Sequence, residues 1–82
     1  MKFRLNRIEE LFLEQKTNKA QVAKKLGITR QSFGITLNGH PSTRTVKKIA
    51  DVLNTNPIDL LELEEGFEHV YNDGIWCGIE KR

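Results

Sequence analysis

Apolar residues recur at helical intervals over most of the first 65 positions, and this period predicts five helices. The first helix is expected from about Arg7 to Lys16, with Asn6 and Glu9 as a capping box at its start. The apolar stripes of the first four helices would meet in one core. They comprise Leu5, Ile8, Leu11, Phe12, Val22, Ala23, Leu26, Phe33, Leu37, Val46, Ile49, Ala50 and Leu53.

Polar residues mark where the later helices begin. Asn18, Thr29 and Ser42 can each cap a helix, because a side-chain oxygen at that position accepts a hydrogen bond from an unpaired backbone N–H. Asn56 followed by Pro57 is typical of a fifth helix that begins with proline. We therefore interpret residues 1–65 as one mainly α-helical domain.

The pattern changes to strict alternation after Gly66, and the helical part is expected to end near Glu64 or Glu65. Two alternating runs flank Asn72-Asp73-Gly74, which predicts a β-hairpin with a three-residue loop. This loop is preferred because it collects the apolar residues on one face of the hairpin. The expected pairs are Tyr71 with Ile75, His69 with Cys77 and Phe67 with Ile79.

The opposite face of the hairpin would carry Val70 and Trp76, which are too apolar for a solvated surface. Residues 66–82 are therefore predicted to extend the same domain, either as a dimerisation element that uses Val70 and Trp76 or as strands that only complete a monomer's core. Met1, Phe3 and Leu5 also alternate and predict an N-terminal strand, and the hairpin is expected to pair either with this strand or with another chain.

The second and third predicted helices have the spacing of a DNA-reading helix-turn-helix, with Gly27 at the turn. The outer side of the third helix carries Arg30, Gln31, Ser32 and Ile35, which we predict to read bases. The three polar side chains can hydrogen-bond base edges, and the isoleucine can contact a thymine methyl group. Arg30 could instead hold a phosphate, and Ile35 could instead pack in the core.

From about Ile8 to Leu61 the chain resembles the phage repressor and Cro type of helix-turn-helix domain, also called XRE-like. Residues 22–32, 37–39, 42, 46–53 and 56–61 carry the resemblance through their order and spacing. It implies a five-helix DNA-binding domain that acts as a dimer on a pseudo-palindromic site, most simply as a repressor. The chain departs from the family pattern at Asn18-Lys19, where members usually carry Thr-Gln.

Phosphate contacts are expected from cations and from positions that the resemblance indicates. Lys19, Lys47 and Lys48 supply positive charge, and the resemblance implies a loop role for Asn38 and a phosphate or minor-groove contact for Arg44. The predicted phosphate contacts are Asn18, Lys19, Thr29, Asn38, Arg44 and Lys47.

Charge is strongly segregated along the chain. Residues 1–50 carry 11 Lys/Arg and 3 Asp/Glu, a net +8, whereas residues 51–82 carry 2 and 8, a net −6. The basic half suits a polyanion such as double-stranded DNA. The acidic half leaves a second function open, in which an antitoxin-like or other interaction module binds a basic partner.

Nothing in the sequence predicts catalysis or a cofactor. The single Cys77 and the separated His40 and His69 do not have metal-site spacing, and no glycine-rich phosphate loop is present. No apolar run approaches the ~20 residues of a membrane span, and the first residues do not resemble a signal peptide. We expect a cytoplasmic protein without enzymatic activity, metal, cofactor or small-molecule ligand.

Overall fold

Five helices and four strands follow one another along the chain. The helices and the C-terminal hairpin are those that the apolar periods predict, whereas the strand Leu61–Glu62 was not predicted. The computed structural model describes all 82 residues. Its helices are α1 (Leu5–Glu14), α2 (Lys19–Leu26), α3 (Arg30–Leu37), α4 (Thr43–Val52) and α5 (Pro57–Leu60). Its strands are β1 (Lys2–Phe3), β2 (Leu61–Glu62), β3 (Phe67–Asn72) and β4 (Ile75–Lys81). The predicted fold class, a mainly α five-helix domain with a C-terminal hairpin, is confirmed.

The starts of α2 to α5 lie where cap chemistry predicts them. Side-chain oxygens of Asn18, Thr29 and Ser42 each accept a hydrogen bond from the backbone N–H three residues later, at 2.9 to 3.2 Å. Pro57 occupies the first turn of α5. Gly27 ends α2 with a φ of +75°, the left-handed conformation expected at the turn.

The first and last helix boundaries differ from the prediction. α1 begins at Leu5, and no side chain caps it, so Asn6 lies inside the first turn and forms no capping box. The chain enters α1 directly from β1, and the backbone N–H of Arg4 donates to the carbonyl oxygen of Leu60 at 2.7 Å. α5 ends at Leu60, earlier than residues 64 to 65, because the next two residues form a strand.

The predicted N-terminal strand exists, but its partner is β2 rather than the hairpin. Lys2 faces Glu62 and Phe3 faces Leu61 in an antiparallel pair, which forms a sheet separate from that of β3 and β4. Phe3 and Leu61 are both buried in the core. This strand pair therefore fastens the N-terminus to the end of α5.

The hairpin turns through Asp73 and Gly74, so the predicted three-residue loop is wrong. Both residues have positive φ, +51° and +80°, which is typical of the type I′ turn that joins twisted strands tightly. Asn72 consequently pairs with Ile75.

A β-bulge then shifts the register along the hairpin. Tyr71 pairs with Trp76 and Val70 with Gly78, which leaves Cys77 as the extra residue in β4. The predicted pairs Tyr71–Ile75, His69–Cys77 and Phe67–Ile79 are therefore all replaced by others.

Trp76 belongs to the hydrophobic core of this chain and is only 4% exposed. Its indole Nε1–H donates to Nδ1 of His69 at 3.0 Å, so the polar atom of the buried ring has a partner. Val70 is half-buried. The expectation that Trp76 faces a second subunit is therefore incorrect, because the bulged register turns the indole inward to complete the core.

Gly78 lies where the hairpin approaches the start of α4. A Cβ atom there would lie 2.9 Å from Oγ1 of Thr43, and the φ of +132° disfavours any side chain. We expect Gly78→Ala to lower the free energy of unfolding by about 1–3 kcal/mol, measured by urea denaturation.

The double variant Thr43→Ala/Gly78→Ala separates the two causes of this loss. Removing the Thr43 hydroxyl relieves the steric contact but leaves the backbone strain, so part of the stability should return. A Gly78→Ala variant as stable as the wild type would contradict the close approach of the hairpin to α4.

Candidate DNA-binding surface

The helix-turn-helix is held rigidly by the core beneath it. Val22 and Ala23 of α2 and Phe33 and Leu37 of α3 are buried, so the inner faces of the two helices pack together. At Gly27 the backbone turns within a few residues, and Ile28 N–H donates to the carbonyl of Ala23 at 3.0 Å. The outer face of α3 is therefore fixed in direction by packing.

The four predicted base-reading residues all lie exposed on α3. Ile35 is 70% exposed, so it does not pack in the core. Arg30 and Gln31 form no side-chain hydrogen bond or salt bridge within the chain, whereas Ser32 Oγ accepts from Thr29 Oγ1 at 3.0 Å. The face thus presents a cation, an amide and an apolar side chain that have no internal partner.

Several predicted phosphate contacts have structural roles at the edges of this face. Asn18 and Thr29 use their side-chain oxygens as helix caps. Asn38 donates from Nδ2 to the carbonyl oxygen of Gly34 at 2.9 Å. Arg44 is exposed and Lys19 is half-buried, and neither forms a salt bridge. Arg44 and Lys19 therefore retain a charge that an anion could meet.

The two lysines of α4 lie on different sides of that helix. Lys47 lines a depression together with Tyr71 and Trp76 of the hairpin. Lys48 lines another depression with Ile28 and Thr36, beside the turn of the helix-turn-helix. Lys48, which the predicted phosphate set leaves out, thus lies closer than Lys47 to the helix-turn-helix. Ile49, the apolar residue that follows Lys48, lines the same depression. Its place in the helical period is the feature of the sequence that indicates this side of α4.

All salt bridges of the chain involve Arg7. Its Nε donates to Asp59 at 2.9 Å, and Nη1 lies 3.1 Å from Glu10 and 3.3 Å from Glu14. The hydrogen bond to Asp59 and the further bonds to the two glutamates raise the pKa of Arg7 above its ordinary value. The other cations of residues 1–50 form no ion pair, so the basic half is available to a polyanion.

The structure holds no group of three or more His, Cys, Asp and Glu side chains that is arranged for a metal ion. The one cysteine, Cys77, is exposed with a free thiol. None of the helices has both the length and the apolar character needed to cross a bilayer.

Comparison with known proteins identifies the domain but no individual relative. No curated protein and no solved structure matches the chain. The family model for the Cro/C1-type HTH DNA-binding domain matches residues 7–66. This range includes α2 to α5 and most of α1, and it ends just before the hairpin. The chain therefore belongs to the Cro/C1-type helix-turn-helix DNA-binding family.

Proposed function

We propose that this chain is a sequence-specific transcriptional regulator that binds double-stranded DNA as a homodimer and acts as a repressor. The observation that carries the proposal is the exposed face of α3, where Arg30, Gln31 and Ile35 have no partner within the chain. Polar side chains held out from a packed helix are suited to base edges in the major groove. This role would place the protein in the cytoplasm on DNA.

This mechanism uses two kinds of contact with DNA, one to phosphates and one to bases. Phosphate contacts from Lys19, Arg44 and Lys48 position the domain on the duplex but carry no sequence information. Gln31 can donate to and accept from adenine, while Ile35 can contact a thymine methyl, and each good base contact contributes about 1–3 kcal/mol of discrimination. A dimer bound across a promoter would then exclude polymerase.

The tip of the hairpin is the surface that we propose for dimerisation. Tyr71 is 49% exposed and Ile75 is 61% exposed, and both border the depression beside α4 that also contains Lys47. These two residues replace Val70 and Trp76 as the expected contacts. The surface lines a different depression from the one that Lys48 shares with Thr36 of α3, so pairing here would leave the exposed face of α3 open.

The charges of this surface suit a second copy of the same chain. Lys47 and Asp51 line the same depression and form no salt bridge with each other. In a two-fold interface, every contact between two different residues occurs twice, once in each direction. Lys47 of one subunit can therefore approach Asp51 of the other, and Asp51 of the first can approach Lys47 of the second. Two copies related in this way would present two reading helices to an inverted repeat.

Selection from a random duplex pool at about 150 mM salt tests the proposal, because nonspecific phosphate binding is weak there. We expect enrichment of an inverted repeat with half-sites about one helical turn apart. Gln31→Ala should relax the preference at one position per half-site and weaken operator binding by about 1–3 kcal/mol.

Lys24→Ala serves as the matched control for this variant. Lys24 is exposed on α2 and makes no salt bridge, so its loss should leave the selected sequence unchanged. If folded wild-type protein enriches no sequence, the sequence-reading proposal fails. Recovery of a small basic protein with the chain would then favour the interaction module with its acidic half.

A further inference from the structure

Gly34 lies inside α3 although nothing within the folded chain requires a glycine there. Its φ is not in the left-handed region, and a Cβ atom built on it would have no heavy atom within 4 Å. A helix with glycine in its interior is less stable than one with alanine there, because the glycine backbone loses more conformational freedom on folding. No contact within the monomer therefore accounts for the glycine at this position.

Helix geometry places Gly34 in the middle of a row, one turn after Arg30 and one turn before Asn38. Both neighbours are exposed, and the Asn38 amide lies back along the row, where its Nδ2 donates to the Gly34 carbonyl at 2.9 Å. The row therefore has a gap at Gly34, where there is no side chain. A guanidinium lies at one end of the row and an amide donor at the other. We call Arg30, Gly34 and Asn38 the α3 notch.

We propose that the α3 notch seats the sugar–phosphate backbone of the operator at the wall of the major groove. This inference rests on the proposed function. Arg30 and Asn38 flank one phosphate as hydrogen-bond donors, and the missing side chain lets the helix approach the backbone closely. Gly34 is then a positioning residue that sets how deeply Gln31 and Ile35 enter the groove. Arg30 is assigned to phosphate, the alternative to guanine that the sequence leaves open.

The test compares Gly34→Ala with the wild type on the selected operator, by fluorescence anisotropy and by thermal unfolding. Stability and binding should change in opposite directions. Alanine should raise the Tm by about 4–8 °C because it favours the helix. It should also weaken operator binding by about tenfold or more, and the slope of log affinity against log salt should decrease in magnitude by about one, because a phosphate contact is lost.

Asn6→Ala is the matched control, since it also places alanine at an exposed helix position, in α1, where the side chain makes no hydrogen bond. It should leave operator binding and its salt dependence unchanged. Operator affinity of Gly34→Ala equal to or above that of the wild type would overturn the notch and leave the proposed function intact. A lower Tm would overturn it too, because the fold itself would then require the glycine. A wild-type chain that selects no operator would overturn both.

Discussion

Replacing Trp76 with alanine is expected to lower the free energy of unfolding by about 3–5 kcal/mol. The indole is buried with residues of the helical core, and its N–H is bonded to His69, so truncation leaves a cavity and an unpaired imidazole. A domain of 82 residues is stable by only about 5–15 kcal/mol, so this loss would remove a large part of its stability. Urea denaturation followed by circular dichroism measures the change.

Glu68→Ala is the control, because Glu68 lies exposed in β3 of the same hairpin, outside the proposed dimer contact, and forms no salt bridge. It should cost much less stability, since little buried surface is lost. Equal effects of the two substitutions would indicate that the hairpin is stabilised by contacts between its own two strands and not by packing on the helical core. A small effect of Trp76→Ala would contradict the finding that the hairpin completes the core of the monomer.

Local chemistry explains why most of the helices were predictable from sequence. The caps at Asn18, Thr29 and Ser42 and the left-handed turn at Gly27 depend on a few adjacent residues, and the structure has them as expected. Each cap satisfies N–H groups that would otherwise lack a partner, whatever the rest of the chain does. Such signals survive because distant contacts do not compete with them.

The hairpin register was not predictable, because distant contacts decide it. Alternation of apolar residues favoured a three-residue loop, yet the chain turns at Asp73-Gly74 and inserts a bulge at Cys77. The bulge allows Trp76 to reach the core and Gly78 to lie against Thr43. The strand that pairs with β1 was also not predictable, because almost the whole helical domain lies between Phe3 and Leu61 in the sequence.

The composition of the reading face followed from helical periodicity, but its surroundings did not. The four residues predicted to read bases are exposed on α3 as the period requires. Which lysine of α4 lies beside that face depends on how α4 packs through Val46, Ile49 and Ala50, and this packing places Lys47 in the depression with the hairpin and Lys48 in the one near the turn. The open space at Gly34 depends on where the neighbouring side chains lie, which the helical period alone does not give.

We expect Ile75→Glu to convert the proposed dimer to a monomer and to weaken binding to the proposed two-half-site operator by about 100-fold or more. The substitution replaces an exposed apolar side chain of the proposed contact with a carboxylate, which would have to lose its water when the two copies associate. Two half-sites bound by separate monomers lose the high effective concentration that a dimer provides. Sedimentation equilibrium measures the association, and anisotropy on single and double half-sites measures the binding.

Leu13→Glu is the matched control for this last prediction. Leu13 is 81% exposed on α1, so the same kind of substitution occurs away from the hairpin tip. It should leave both dimer formation and operator binding intact, and neither variant should change affinity for an isolated half-site, because α3 is untouched. An Ile75→Glu protein that still sediments as a dimer would show that the two copies meet elsewhere. If Leu13→Glu alone yields monomers, the interface lies on α1, and the hairpin serves only to complete the core beneath Trp76.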